Sequence, residues 1–299
     1  MSIPALPTLR QLQFFMALIR RQSFSKAADD CFVSQSTLSS AIKEMELLLG
    51  RQLVDRSTRS FALTPAGEEV AARASEILAA TEDLVRAASG RRPLEGAFHL
   101  GVIPTVAPFL LPRATQDLNK SHPTLELYLR EDLTAALAER LSAGLIDAAL
   151  MAFPYEIAGA DSIEIADDPF WFACAPDHEF AGRDALDTDD LAGCELLLLE
   201  DGHCLREHAI DACQLANRSA SSSFGGTSLF TLAQMARTGL GATLLPEMAV
   251  RDGLAKAAGL VAIPFRDPKP SRKIGVAWRR GSGRRDEAEA VAKVFAAQF

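Results

Sequence analysis

No stretch of this sequence reaches the roughly 18 uninterrupted apolar residues that a membrane-spanning helix needs. Pro104, Pro108 and Pro112 interrupt one apolar segment early, and Asp147 interrupts another. The N-terminal MSIPALPTLRQLQFF lacks a cleavable signal pattern, so a cytoplasmic protein that does not engage a membrane is expected. Aromatic residues are scarce and the mean hydropathy is +0.07, as in soluble proteins. A net charge of −8 excludes a molecule coated in positive charge. Cysteine is also sparse and odd in number (Cys31, Cys174, Cys194, Cys204 and Cys213), which excludes a disulfide framework. A small buried hydrophobe is the ordinary role of a free cysteine. No internal repeat is evident.

What is present points to two parts. A chain of 299 residues, 48% of them hydrophobic, can bury more than one core. Residues 1–65 hold eight basic and five acidic side chains, a charge of +3, which leaves −11 for the rest. A mildly basic head on an acidic body suits a small DNA-reading module joined to a part that does not touch DNA.

In the head, Thr8 can cap a helix whose apolar face is Leu9, Leu12, Phe15, Met16 and Ile19. Ser25 can cap a short second helix, and Phe32-Val33 forms the turn. Ser34 can cap a third helix, stopped by Gly50, with Leu38, Ile42, Met45 and Leu49 inward. This is a helix-turn-helix pattern. The outward face of the third helix carries Gln35, Ser36, Ser39, Ser40 and Lys43, with Ser34 and Thr37 at its start. Small and amide side chains there let a helix lie deep in the major groove. An ordinary solvated face would look the same; the next segment tips the balance. Leu53-Val54 and Phe61–Leu63 read as strands around Arg56, Ser57 and Arg59, a wing with two arginines at its tip.

Pro65 starts a long helix. Val70, Ile77 and Leu84 are seven apart, as are Ala74, Thr81 and Ala88, which makes a heptad seam suited to a partner helix. Packing onto its own domain is the competing reading. From Ala97, strands alternate with helices, for example strands over Ala97–Ile103, Phe170–Ala175 and Lys273–Trp278. That alternation predicts parallel α/β sheets.

VSQSTLSSAIKEMELLLG followed by RQLVDRSTRSFALTPAG resembles the N-terminal signature of the LysR-type transcriptional regulators. The remainder resembles their effector domain, a two-lobed α/β fold like that of periplasmic binding proteins. The resemblance implies a winged helix-turn-helix over 1–65, a linker and dimerisation helix with hinge over 66–93, and a redox-sensing domain over 94–299. Lobe I would take about 94–167 and 268–299, and lobe II about 168–267. GVIPTVAPFLLP (101–112), LLLLEDGHCLREHAIDAC (196–213) and GATLLPEMAV (241–250) are most similar to peroxide-sensing members of the family. Those members imply Cys204 as the peroxidatic and Cys213 as the resolving cysteine. They also imply Thr105, Thr134, His203, Arg206 and Arg272 as the lining of the peroxide pocket. Promoter DNA, hydrogen peroxide as the signal, RNA polymerase, a thiol reductant and a dimer of dimers are the implied partners. Oxidative-stress defence genes are the implied targets, and no cofactor or metal is implied. Two departures stand out: Ser36 replaces a frequent proline, and Cys174 and Cys194 have no counterpart role.

Physics supports such a switch. Cys204 starts a helix predicted over Leu205–Gln214, where the helix N-terminus and a cation such as Arg206 favour a thiolate. His203 adds a hydrogen-bonding group, and threonine hydroxyls and an arginine can stabilise a departing oxygen. In one continuous helix, nine residues separate the two cysteines by about 13 Å and put them on opposite faces. A disulfide needs Cα atoms within about 7 Å, so the bond requires local unwinding. On the residues alone, two unrelated cysteines on an amphipathic helix remain the simpler reading. Cys204 and His208, four apart, with His203 adjacent, form a competing metal constellation, short of the four ligands zinc normally takes. A small-molecule effector in the cleft is a second reading, and a thiol peroxidase enzyme a third. The DNA-reading head argues against an enzyme.

Overall fold

The computed structural model describes residues 6–55, 61–88, 93–213 and 220–299. The chain divides into two compact units: 1–91 with 142–144, and 92–141 with 145–299.

In the first unit, helices α1 (Leu9–Arg21), α2 (Phe24–Asp30) and α3 (Gln35–Leu49) precede strands β1 (Val54–Asp55) and β2 (Ala62–Leu63) and helix α4 (Pro65–Ala88). Thr8 and Gln11 form a reciprocal capping box on α1. Ser23, not the expected Ser25, caps α2. Ser23 has the extended backbone a cap requires and accepts from the Lys26 N–H, whereas Ser25 lies inside the helix. Ser34 caps α3, and Gly50 ends it in the left-handed conformation. Leu38, Ile42 and Met45 of α3 join Phe15, Leu18 and Ala28 in one core. β1 and β2 pair antiparallel, Val54 opposite Leu63. The wing tip with Arg56, Ser57 and Arg59 falls outside the described residues. Glu46 Oε1 accepts from the N–H groups of Leu53 and Val54 at 2.9 and 3.2 Å, which fastens the wing to α3. At Gly67 an added Cβ would lie 2.1 Å from the Leu53 carbonyl oxygen, so only glycine lets α4 start this close.

The predicted seam on α4 divides. Val70 and Ala74 pack into the head's own core. Ile77 (47% exposed), Leu84 (69%) and Val85 (65%) remain outside it. Burying a large aliphatic side chain contributes about 1.5–3 kcal/mol, so the exposed part of α4 can still support a partner helix. Leu84→Asp is expected to lower the oligomeric state of the full chain in sedimentation, whereas Val70→Asp is expected to unfold the head. A Leu84→Asp chain with unchanged mass would remove the seam as an interface.

In the second unit the strands are β3 (Gly96–Val102), β4 (Leu125–Glu131), β5 (Ala148–Phe153), β6 (Ala160–Cys174), β7 (Leu196–Leu199), β8 (Ala220–Gly226), β9 (Ala242–Pro246), β10 (Val261–Pro264) and β11 (Ser271–Arg279). The helices are α5 (Ala107–Ser121), α6 (Thr134–Ser142), α7 (Cys204–Ala212), α8 (Leu229–Arg237), α9 (Glu247–Arg251), α10 (Leu254–Ala258) and α11 (Arg285–Ala296). The strand order is β4-β3-β5-β11-β6-β9-β7-β8, with β10 on β6. The sheet is mixed rather than parallel as expected. β3 pairs parallel with β4 and β5, and β7 pairs parallel with β8 and β9. The long strands β6 and β11 are antiparallel to each other and to their other neighbours. The cause is the chain path: β6 carries it out of one core and β11 brings it back, and a return through the same crossing runs the opposite way.

Two hydrophobic cores result. One is built on Phe98, Leu100, Leu150, Ile274 and Phe295, the other on Phe170, Phe172, Leu197, Leu244 and Phe265. They change over along β6, whose Ala160–Pro169 stretch pairs with β11 and whose Phe170–Ala173 stretch pairs with β9. No helix among the described residues is long and apolar enough to cross a membrane.

Candidate functional site

The crossing of β6 and β11 holds a buried ion pair. Arg272 on β11 donates from Nε to Asp168 Oδ2 at 2.9 Å. Its Nη1 donates to Thr105 Oγ1 at 2.8 Å and its Nη2 to the Thr105 carbonyl at 3.2 Å. Both side chains of the pair are almost wholly buried. Asp168 also accepts from the Met248 N–H at 3.1 Å. Burial pushes the Asp168 carboxyl above its ordinary range, while Arg272 and the Met248 N–H pull the other way. The Thr105 hydroxyl accepts from Arg272 and therefore keeps its own proton for donation.

α7 lies against β11 and β7. Cys204 is its first residue and Cys213 its C-cap. Neither cysteine is in a disulfide and both are buried, but not in the same place. Cys204 belongs to the first core with Val102, Leu137 and Ile274. Cys213 belongs to the second with Leu205, Ala209 and Leu245. The nine-residue helical run keeps their backbones about 13 Å apart, well beyond disulfide reach.

His203 precedes Cys204 and is buried, which pushes its imidazole pKa down and keeps the ring neutral; Glu200 opposes this weakly. Its side chain makes no cap hydrogen bond to α7. Gly202, with φ +95, brings the loop against Leu133, 3.6 Å from an ideal Cβ, next to the start of α6. There Thr134 Oγ1 is buried without a hydrogen-bond partner. A lone buried hydroxyl of this kind is free to donate to a small guest. Arg206 is turned elsewhere: its Nε lies 3.0 Å from Asp201 Oδ1 and its Nη1 3.3 Å from the Leu199 carbonyl. The guanidinium braces the loop before α7, and Asp201 offsets its charge. Among the predicted pocket residues, the structure links Thr105 and Arg272 directly, buries His203 and Cys204 at the start of α7, and buries Thr134 at the start of α6.

Sequence reasoning missed Asp168, the counter-ion of Arg272. A fully buried arginine demands a carboxylate, but Asp167-Asp168 gives no sign of which one turns inward. His208, weighed only as a metal ligand, sits buried on α7 with Nε2 3.3 Å from the Pro154 carbonyl. Among the described residues no group of three or more His, Cys, Asp or Glu side chains could hold a metal ion.

On the head, Ser34, Gln35, Ser36, Thr37, Ser40 and Lys43 are exposed and Ser39 is half-buried. The Ser34 hydroxyl is engaged in capping Thr37 and lies 2.9 Å from Ser36 Oγ. Gln35 and Lys43 are the long polar side chains of this face that project to solvent.

The family model "Bacterial regulatory helix-turn-helix protein, lysR family" matches residues 9–68, and "LysR substrate binding domain" matches 91–299. The chain is 37% identical over 292 residues to the HTH-type transcriptional regulator EstR of Acinetobacter baylyi, covering 97% of each. It is 38% identical over 292 residues to the DNA-binding transcriptional dual regulator OxyR of Escherichia coli, covering 97% of this chain and 95% of that one. A full-length OxyR cysteine variant from Pseudomonas aeruginosa superposes with a TM-score of 0.84 at 31% identity, over 97% of this chain and 95% of that one.

Proposed function

The chain belongs to the LysR family of bacterial transcriptional regulators, and from that premise we propose that it is a peroxide sensor of the OxyR type. It is a DNA-binding regulator, not an enzyme. The observation that carries the proposal is the placement of Cys204 and Cys213 at the two ends of one short helix, each buried in a different core. Any bond between them must dismantle α7.

The chemistry balances with peroxide as the oxidant. The Cys204 thiolate attacks one peroxide oxygen, the O–O bond breaks, and the departing hydroxide takes a proton and leaves as water. Cys204 becomes a sulfenic acid. The Cys213 thiol then attacks the Cys204 sulfur, a second water leaves, and the disulfide forms. Hydroxyl protons of Thr105 and Thr134 are the donors for the departing oxygen. His203, neutral by burial, can relay a proton. Arg272 acts through Thr105, and Arg206 acts through the loop it braces. Oxidation and the intact α7 exclude each other, and the repacking alters contacts between sensing domains and so the spacing of the DNA-reading heads. A dimer of dimers, a thiol reductant and contact with RNA polymerase complete the proposed cycle. The alternative is a LysR-type regulator whose cleft takes a small-molecule effector or a metal.

Thiol titration before and after one equivalent of hydrogen peroxide, with a DNA footprint on the same sample, tests the proposal. The expected result is the loss of two thiols and a changed footprint. No loss, or loss with an unchanged footprint, overturns it.

On the DNA side, Gln35 is proposed to read base edges, and Lys43 with Arg56 and Arg59 to contact phosphates. Lys43→Ala is expected to weaken binding to all sequences and to reduce the salt slope by about one. Gln35→Ala is expected to relax sequence preference at one position, by about 1–3 kcal/mol. A binding-site selection that is unchanged by Gln35→Ala would show that another residue reads the bases.

A further inference from the structure

α7 carries a buried imidazole that no step above uses. His208 follows Cys204 by one turn, on the same helical face. Its Nε2 lies 3.3 Å from the Pro154 carbonyl, just beyond β5 in the first core. A carbonyl oxygen only accepts, so Nε2 carries the proton and Nδ1 presents a lone pair. Nδ1 is buried with no hydrogen-bond partner. Burial pushes the imidazole pKa down and Arg272 adds to this, against the Pro154 carbonyl, Glu207 and Asp211. The ring is therefore neutral and makes one directional bond out of α7.

We propose that His208 is a positioning residue that latches α7 to the Pro154 carbonyl and thereby sets the rate at which Cys213 reaches Cys204. The proposal rests on the peroxide-switch reading. A nine-residue helix is marginal on its own, so its outside ties hold it. Leu205, Ala209 and Cys213 tie it to the second core by apolar packing, which is non-directional and yields gradually. The His208 bond is directional and sits in the middle of the helix, so it must break before the second turn unwinds. Oxidation of Cys204 comes earlier, with the latch closed. The unpartnered Nδ1 works against the latched state, so the tie holds α7 without locking it.

The test uses the full-length reduced protein, mixed rapidly with hydrogen peroxide. Sulfenic acid is read by a trapping reagent and the 204–213 bond by peptide mapping. His208→Leu keeps apolar bulk and removes the donor. It is expected to speed disulfide closure about fivefold, the equivalent of one hydrogen bond of about 1 kcal/mol, with the sulfenylation rate changed less than twofold. His208→Gln restores an N–H donor and is expected to return closure towards the wild-type rate. Closure unaffected by His208→Leu, both steps changing together, or Gln behaving as Leu each overturn the latch. Should the leucine chain fail to fold, His208→Phe takes its place with the same expectations. Amide hydrogen exchange of the reduced protein gives an arm that needs no peroxide. His208→Leu should raise exchange over 205–212 and leave the remaining amides protected; unchanged exchange overturns the latch. Raised exchange together with a wild type that forms no disulfide upholds the latch and overturns the peroxide reading.

Discussion

Cys204→Ser is expected to abolish the peroxide response, whereas Cys213→Ser is expected to leave the first chemical step intact. A serine hydroxyl is not ionised near neutral pH, so the nucleophile is gone while the shape of the buried site is nearly kept. The footprint of Cys204→Ser should therefore match the reduced protein at every peroxide concentration. In Cys213→Ser the thiol of Cys204, set in the first core at the start of α7, remains intact and reacts once. With no second thiol at the far end of α7, the product is a sulfenic acid that oxidises further or meets another cysteine. Cys174 is a poor candidate, because burial pushes its thiol pKa to about 11. Cys194, half-buried and more accessible, is the better one. Peptide mapping after a brief peroxide pulse decides these points. A 204–213 linkage is expected in the wild type, and a sulfinic or mixed product on Cys204 in Cys213→Ser. A disulfide that excludes Cys204 in the wild type would sink the assignment, and so would a footprint that shifts in Cys204→Ser.

The legibility of the molecule follows the kind of signal each element carries. The head was readable because its helices announce their ends by capping chemistry. Thr8 with Gln11, Ser34 and Gly50 all act as their residue types suggest. Ser23 and Ser25 are two apart and chemically alike, so only the extended backbone at Ser23 separates them. α5 was obscured by prolines. Pro108 falls in its first turn, where no N–H partner is lost, and Pro112 is carried inside the helix. β8 has the sequence ASSSFGG, without apolar alternation, and joins the sheet only through pairing with β7. The first part of β6 carries Asp161, Glu164 and Asp167, and becomes a strand because β11 lies beside it. Periodicity records burial, not strand direction, which is why the parallel expectation failed. In the proposed site, Cys204, Cys213, Thr105, Thr134, His203 and Arg272 were singled out through resemblance. Asp168 was not, because a buried counter-ion is chosen by tertiary packing.

That counter-ion changes what substitution of Arg272 means. As pocket lining alone, Arg272→Ala would slow the reaction with peroxide without blocking the disulfide. In the structure, the guanidinium joins Asp168, Thr105 Oγ1 and the Thr105 carbonyl in the buried crossing of β6 and β11. Removing it strands a buried carboxylate that only the Met248 N–H still serves. Breaking one side of such a pair typically costs about 3–5 kcal/mol, a large part of the roughly 5–15 kcal/mol that holds a domain together. Arg272→Ala and Asp168→Ala are both expected to lower the unfolding free energy read from urea titration by that scale. Removing both charges, as Asp168→Leu with Arg272→Met, should recover most of the loss, because the penalty lies in the unpaired charge rather than in the absent bond. Thr105→Val should cost less, about 1–3 kcal/mol, since Arg272 keeps Asp168 and the Thr105 carbonyl. It should nevertheless slow sulfenylation more than it lowers stability, because the donated hydroxyl proton is what it removes. Urea titrations of the four chains, beside the rate of Cys204 oxidation in each, separate the two roles. If the double replacement is no more stable than either single one, the pair is not held together by charge. If Thr105→Val oxidises at the wild-type rate, its hydroxyl is a structural acceptor alone.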